Sequence, residues 1–426
     1  MYIYLKRNVS WLGAGHSLPV WCRILRFHIS IALLVLSAVS IQTVAWAMET
    51  RVDPETRTIR VIWGVGSGNA LRCAQQDPRI QVGAVIPPLT YETTMADLER
   101  SRRIARIYMP RTYAHLVENT DLMIIEIDTR CFTLQNHIWF RDAVLEDGLG
   151  FLMGGGAMSF GANPPFTNWC ETAVDEILPV DCFHGNAEGR YPKTYMVRLK
   201  VASPEDELGA SIPWESAPLY YPPNIVAARP GCVPIIVSDN REETPLYFYW
   251  DIGEGRSMGV QNLNSYFSDF VNWEFYWDAT LNSLYYSVAF PLPDDLLVVH
   301  ELRGAWNEIQ VQRSLLHSFI EFADKYAADT GRLEDGMEGA DSLRRSSDSL
   351  YLEGSYPDSL DALRASIAEF ERLQDLAVEL KERALFWVYV IEWLVVSSAL
   401  MVSGFILWSL MIRRALYRAV RTTSSR

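Results

Sequence analysis

Positive charge is in short supply. The chain of 426 residues sets 38 Lys plus Arg against 52 Asp plus Glu, a formal net charge of −14. A nucleic-acid binder presents a basic face, so this balance argues against nucleic acid as a partner. Cysteine is also scarce, with 6 in all, and their spacing fits no zinc motif, so no metal is expected. Nucleotide signatures are missing too. Gly64-Val65-Gly66-Ser67-Gly68 follows a strand-like run but lacks the third glycine of G-x-G-x-x-G, and no Gly-Lys-Ser/Thr follows as in a P-loop. No cofactor is therefore predicted. No repeat of fixed period occurs. What the chain does have is apolar residues, 49% hydrophobic and 12% aromatic, enough to bury a substantial core and to exclude wholesale disorder.

A mean hydropathy of +0.01 is high for so acidic a chain, and two apolar stretches at the ends account for it. The first, 29–47, follows Lys6, Arg7, Arg23 and Arg26, with no acidic residue before Glu49. A basic n-region, an apolar h-region and Ala45-Trp46-Ala47 predict a signal peptide or N-terminal anchor over 1–47. The second, 385–412, is long enough to cross a hydrocarbon core of about 30 Å. Its one charge, Glu392, lies near the Lys381-Glu382-Arg383 end beside Trp387, Tyr389 and Trp393, an aromatic belt. Arg413, Arg414, Arg418 and Arg421 follow, and positive charge beside a span stays in the cytoplasm. Both ends place the residues between them outside, with 413–426 as a basic cytoplasmic tail. The span is single, or one of two if 1–47 is uncleaved. Within it Ala399 and Ser403, with Gly404 adjacent, form a small-xxx-small pair that lets another helix approach.

Between the ends, short buried strands alternate with helices, which predicts an open α/β sheet of mostly parallel strands over 51–292. Strands are predicted at 59–65, 80–85, 106–109, 122–127 and 150–153, with helices near 94–103 and 135–147. Leu122–Ile127 is an apolar run of the kind buried on both faces. Further strands follow at 194–201, 224–228, 233–238, 246–252 and 256–261, the last two joined by Gly253-Glu254-Gly255, a hairpin signal. A helix carrying Phe270, Trp273, Phe275, Tyr276 and Trp277 closes the domain, and Pro291-Leu292-Pro293 marks its boundary. Residues 301–384 predict a helical stalk. Leu360, Leu363, Ile367, Phe370, Leu373, Leu376 and Leu380 recur at helical spacing, and 329–357 reads as an acidic loop between two helices.

Several segments occur in a familiar order: Asp121-Leu-Met-Ile-Ile-Glu-Ile-Asp128, Phe140-Arg-Asp-Ala-Val-Leu-Glu-Asp-Gly148, and Phe151-Leu-Met-Gly-Gly-Gly-Ala-Met-Ser-Phe-Gly161. Val174-Asp-Glu-Ile-Leu-Pro-Val180, Tyr249-Trp-Asp-Ile-Gly-Glu-Gly-Arg256 and Asn272-Trp-Glu-Phe-Tyr-Trp277 complete the set. Together they resemble the class I glutamine amidotransferase-like family over about residues 59–290. The resemblance implies a flavodoxin-like fold and a ligand or partner surface at the carboxyl ends of the strands. True class I amidotransferases carry a nucleophilic Cys on a strand-to-helix turn and a later His-x-Glu. Here the turn Gly154–Ser159 has no Cys, and no His-x-Glu follows Arg256.

The candidate site residues follow from this. Gly66, Ser67, Gly68, Asp128, Gly155, Gly156 and Ser159 are the ligand-binding candidates, and the Gly64–Gly68 turn could bring backbone N–H groups near an anion. Ser159 sits in Ala157-Met-Ser-Phe-Gly161, an imitation of a nucleophile elbow, but Pro164 and Pro165 break any helix after it. Cys131 lies past a strand end beside Asp128 and Arg130, a setting for a lowered thiol pKa. For cysteines outside the cell, Cys170 with Cys182 is the first disulfide choice and Cys73 with Cys131 the second. The aromatic group Trp273, Phe275, Tyr276 and Trp277 reads as core, with sugar stacking the alternative. The sequence thus points to a membrane-anchored, non-catalytic binding or scaffolding module in an envelope assembly, held in the bilayer by 385–412 and meeting an envelope protein partner. The alternatives are a hydrolase using Ser159 or Cys131, and a single-span sensor.

Overall fold

The computed structural model describes residues 48, 50–64, 68–86, 95–156, 158–160, 167–182, 196–224, 226–241, 243–265, 268–325 and 331–423. The segment read as a signal peptide or anchor, 1–47, lies outside them. The α/β body runs β1 (Ile59–Gly64), α1 (Asn69–Gln76), β2 (Ile80–Val85), α2 (Met95–Tyr108), α3 (Tyr113–Asn119), β3 (Leu122–Ile125), α4 (Leu134–Asp147) and β4 (Gly150–Gly154). It continues through β5 (Val180–Cys182), β6 (Leu199–Val201), α5 (Glu207–Ala210), β7 (Val226–Ala228), β8 (Val233–Ser238), β9 (Pro245–Ile252), β10 (Gly255–Val260) and α6 (Tyr276–Tyr286).

The main sheet has the order β2-β1-β3-β4-β10-β9-β8-β6. β2, β1, β3, β4 and β10 are parallel, while β9, β8 and β6 continue the sheet antiparallel. The parallel part has the flavodoxin-like order, and β5 pairs with β7 as a separate ribbon. Side-chain alternation builds two cores. Ile59, Val61, Trp63, Leu122, Ile124, Leu152 and Met258 face α1 and α6 on one side. Ile62, Met123, Ile125, Phe151 and Met153 face α2, α3 and α4 on the other. The strand expected at 106–109 is instead the end of α2. Leu98, Ser101, Ala105 and Met109 are buried at helical spacing, and four residues are too few for periodicity to decide alone.

Three helices follow: α7 (Leu296–Lys325), α8 (Gly331–Glu353) and α9 (Tyr356–Thr423). The expected acidic loop 329–357 is largely helix α8. Its buried positions Leu333, Met337, Ala340, Ser347 and Tyr351 follow a helical repeat, and the small residues among them hide it from a hydropathy reading. The stalk is therefore a three-helix bundle rather than a helix pair. α7 leaves the body, α8 returns to it and α9 leaves again, so by rise per residue the bundle extends about 45 Å from the body. Lys381 lies over the rings of Phe319 and Phe322 near the far end of the bundle. Beyond it α9 is exposed and, over Tyr356–Tyr417, holds a stretch long and apolar enough to cross a membrane.

A buried polar network joins body and bundle. Arg303 of α7, 1% exposed, donates from Nη1 to Asp278 Oδ1 of α6 at 2.7 Å, and His300 Nδ1 meets Asp278 Oδ2 at 2.7 Å. The Tyr285 hydroxyl donates to Asp77 and lies 2.9 Å from the Tyr351 hydroxyl of α8. Arg79 donates to the carbonyls of Arg57 and Tyr351, and Arg57 donates to those of Leu352 and Glu353 at the end of α8, where positive charge is favoured. Burial opposes the charge on Asp278, but hydrogen bonds from His300 and Arg303 hold its carboxyl below the usual range. The hydrogen bond to Asp278, against partial burial, raises His300.

Arg303→Met strands a buried carboxylate and should cost about 3–5 kcal/mol, with the Asp278→Asn/Arg303→Met pair recovering much of it; urea unfolding of the full chain in detergent reads both. The folded chain holds the His300 proton more tightly than the unfolded chain does. Its contribution is therefore present below about pH 6.5 and lost as pH rises through the raised value. Melting temperature should fall across that window, and His300→Gln should remove that slope.

Candidate functional site

The chain leaves β1 for β2 on one side and returns to β3 on the other. That reversal is the topological switch point at the carboxyl ends of the parallel strands, where ligands of such sheets bind. Glu126 follows β3, its N–H donating to the Gly64 carbonyl at 2.9 Å. Its carboxyl occupies space that glycines leave open. A Cβ on Gly154 would stand 2.7 Å from Oε2, and one on Gly156 would stand 3.2 Å from Oε1. Asn264, after β10, donates from Nδ2 to Glu126 Oε2 at 3.2 Å and accepts from the Ala70 N–H, in the first turn of α1, at 3.3 Å. Gly68 must be glycine for this, since a Cβ there would lie 2.1 Å from Asn264 Oδ1. Burial pushes the Glu126 carboxyl from 4.5 up to about 8, with the Asn264 bond only partly offsetting it. Near neutral pH the group is mostly a protonated acid, able to donate as well as accept.

The glycine turn beside it is closed tightly. Gly155 donates to the Val260 carbonyl at 2.7 Å, and a Cβ on it would fall 2.0 Å from the Gln261 carbonyl. Asn224 clamps the next residues. Its Oδ1 accepts from the Gly156 N–H at 2.8 Å, and its Nδ2 donates to the carbonyls of Gly156 and Phe160. Gln261 Oε1 in turn accepts from the Asn224 N–H at 3.2 Å.

Gly68, Gly155 and Gly156 thus meet at this switch point, packed against Glu126 and Asn264. Gly66 and Ser67 lie outside the described residues. The Gly155 N–H is spent on Val260 and the Gly156 N–H on Asn224, so neither is free for an anion. Ser159 is fully buried, its Oγ donating to the Gly156 carbonyl at 3.2 Å, and no histidine contacts it among the described residues. Asp128 anchors a loop: it accepts from the backbone and guanidinium of Arg130 and from Thr167. Cys131 departs from the expected lowered thiol. It is buried, and burial together with the Asp128 carboxylate pushes it up to about 12. His137, close in sequence, spends Nε2 on the Thr129 carbonyl.

Cys170 and Cys182 are disulfide-bonded, with Cα atoms 6.3 Å apart. Cys73 and Cys131, the second expected pair, are both free. They sit in the two separate cores, on opposite faces of the sheet. Trp273 and Tyr276 are core, with Phe275 and Trp277 packed against it. Among the described residues no group of three or more His, Cys, Asp or Glu could hold a metal. Glu126, Asn224, Gln261 and Asn264 escaped the sequence reading. Only Glu126 left a signal there, as a carboxyl interrupting the apolar run 122–127.

Residues 101–288 match the family described as "Putative glutamine amidotransferase". A solved structure of a cytoplasmic protein from Salmonella typhimurium LT2 is similar at 20% identity, covering 54% of this chain and 98% of that one, with a TM-score of 0.41. No curated protein matches the chain.

The proton on Glu126 is held more tightly folded than unfolded, so its burial destabilises the fold progressively as pH rises from 4.5 toward 8. Glu126→Gln should raise the melting temperature at pH 9 and change it little at pH 5. Gly155→Ala should cost about 1–3 kcal/mol through the Gln261 clash, seen as a lower urea midpoint.

Proposed function

With its α/β body belonging to the class I glutamine amidotransferase-like family, we propose that this chain is a membrane-anchored, extracytoplasmic, non-catalytic module that binds or scaffolds partners in an envelope assembly. The observation that carries the reading is the turn after β4. Where the family's enzymes carry a Cys nucleophile, this chain has a glycine turn closed by Gln261, Asn224 and Glu126, and its only hydroxyl among the described residues, Ser159, is buried against a carbonyl. Attack on an amide needs a thiolate or an activated hydroxyl aimed at open space, and neither is available in that turn. The outward orientation is supported by the arginines at 413, 414, 418 and 421, which resist crossing, and by the Cys170–Cys182 bond, which persists in oxidising compartments. A sensor reading draws on one further feature. The polar network that joins body to bundle ends at Tyr351 and Glu353, three to five residues before α9 begins at Tyr356 and runs on into the apolar stretch.

Two measurements test the reading. The full chain in mild detergent should release no ammonia from glutamine above a Ser159→Ala control; hydrolysis lost in that variant would overturn the non-catalytic claim. Protease added to intact cells should digest the body, whereas digestion only after lysis would overturn the orientation.

A further inference from the structure

A second cavity, of about 220 Å³, lies between the end of α2 and the turn entering α4. Its walls include Arg106, Arg111, Cys131, Thr133, Asn136 and Trp139, and no acidic side chain lines it. Arg106 donates from Nε to the Arg102 carbonyl at 3.3 Å, and its Nη2 has Glu99 Oε2 only at 3.9 Å. Arg111 has no hydrogen bond or ion pair among the described residues. Asn136 Oδ1 is used by Thr133, accepting from its N–H at 3.1 Å and its hydroxyl at 2.7 Å, which leaves the Nδ2 amide as a donor. Opposite stands the half-buried indole of Trp139, packed with Tyr113 at 6.5 Å between ring centres. The Cys131 thiol, uncharged at neutral pH, does not repel an anion.

We propose that this cavity binds a small phosphomonoester, its phosphoryl oxygens held by Arg106, Arg111 and the Asn136 amide and its organic part lying on Trp139. Guanidinium forks match phosphoryl oxygens, and two of them balance a charge of about −1.5 to −2. The volume admits a phosphoryl group and about one ring. The cavity stands on the sheet face packed by α2 and α4, while the bundle is joined through α6 on the other face. The ligand is accordingly a soluble molecule rather than a lipid headgroup. This site is separate from the switch point at Glu126, and the inference does not depend on the scaffolding role.

Calorimetric titration of the full chain in detergent tests it, with inorganic phosphate, phenyl phosphate and benzoate as probes at constant ionic strength. Phenyl phosphate should bind about tenfold more tightly than phosphate, by ring stacking on Trp139, and Trp139→Leu should abolish that difference. Arg106→Gln and Arg111→Gln should each weaken phenyl phosphate about tenfold or more. Arg103→Gln, an exposed change on the same helix away from the cavity, should leave it unaltered and so separates the site from a merely basic surface. Unchanged melting temperatures confirm that the variants fold. Absence of phenyl phosphate binding, equal binding of benzoate, or equal weakening by Arg103→Gln would overturn the assignment. Phenyl phosphate bound in anionic phospholipid vesicles no better than a competing headgroup would overturn the soluble source.

Discussion

The ion pair between Asp278 and Arg303 fixes the relation of body to bundle. Each side chain is nearly sequestered from water, so neither charge is tolerable without the other. The pair sets where α7 meets α6, and with it the start of the three-helix bundle. Arg79, Tyr285 and Tyr351 extend the join to α8, so the long helix α9 departs from a rigid platform. Apolar packing by Leu302, Trp306, Leu333 and Leu363 then supplies most of the bundle's cohesion.

At the carboxyl edge of the sheet a different constraint operates, that of volume. Glycines at 68, 154, 155 and 156 surrender side-chain space, and Glu126, Asn264 and the Gln261 backbone fill it. The parallel strand order is that of a flavodoxin-like sheet, while the glycine turn after β4 is packed against its neighbours. Fold and chemistry are separable in principle, because a sheet depends on apolar alternation whereas catalysis depends on a few atoms at one turn.

Much of the architecture was legible in the residues. Strands at β3, β4, β8 and β10, helix α4 and the hairpin between β9 and β10 follow from apolar runs and a glycine pair. Two misreadings share a cause. Helix α8 buries Ala340 and Ser347, and α2 buries Ser101 and Ala105, small residues whose burial hydropathy does not register. The Cys73–Cys131 pairing failed for another reason: nothing in the linear order says which face of a sheet a loop will reach.

By itself the sequence determined what local composition can enforce. An uninterrupted apolar stretch followed by arginines is long enough to span a bilayer, and alternating apolar strands must bury both faces, whatever surrounds them. Only the tertiary structure decided which distant groups meet: Glu126 with Asn264, Arg303 with Asp278. Such pairings are set by the packing of whole elements, and the shifts in proton affinity that follow come from burial, which no residue carries in its name.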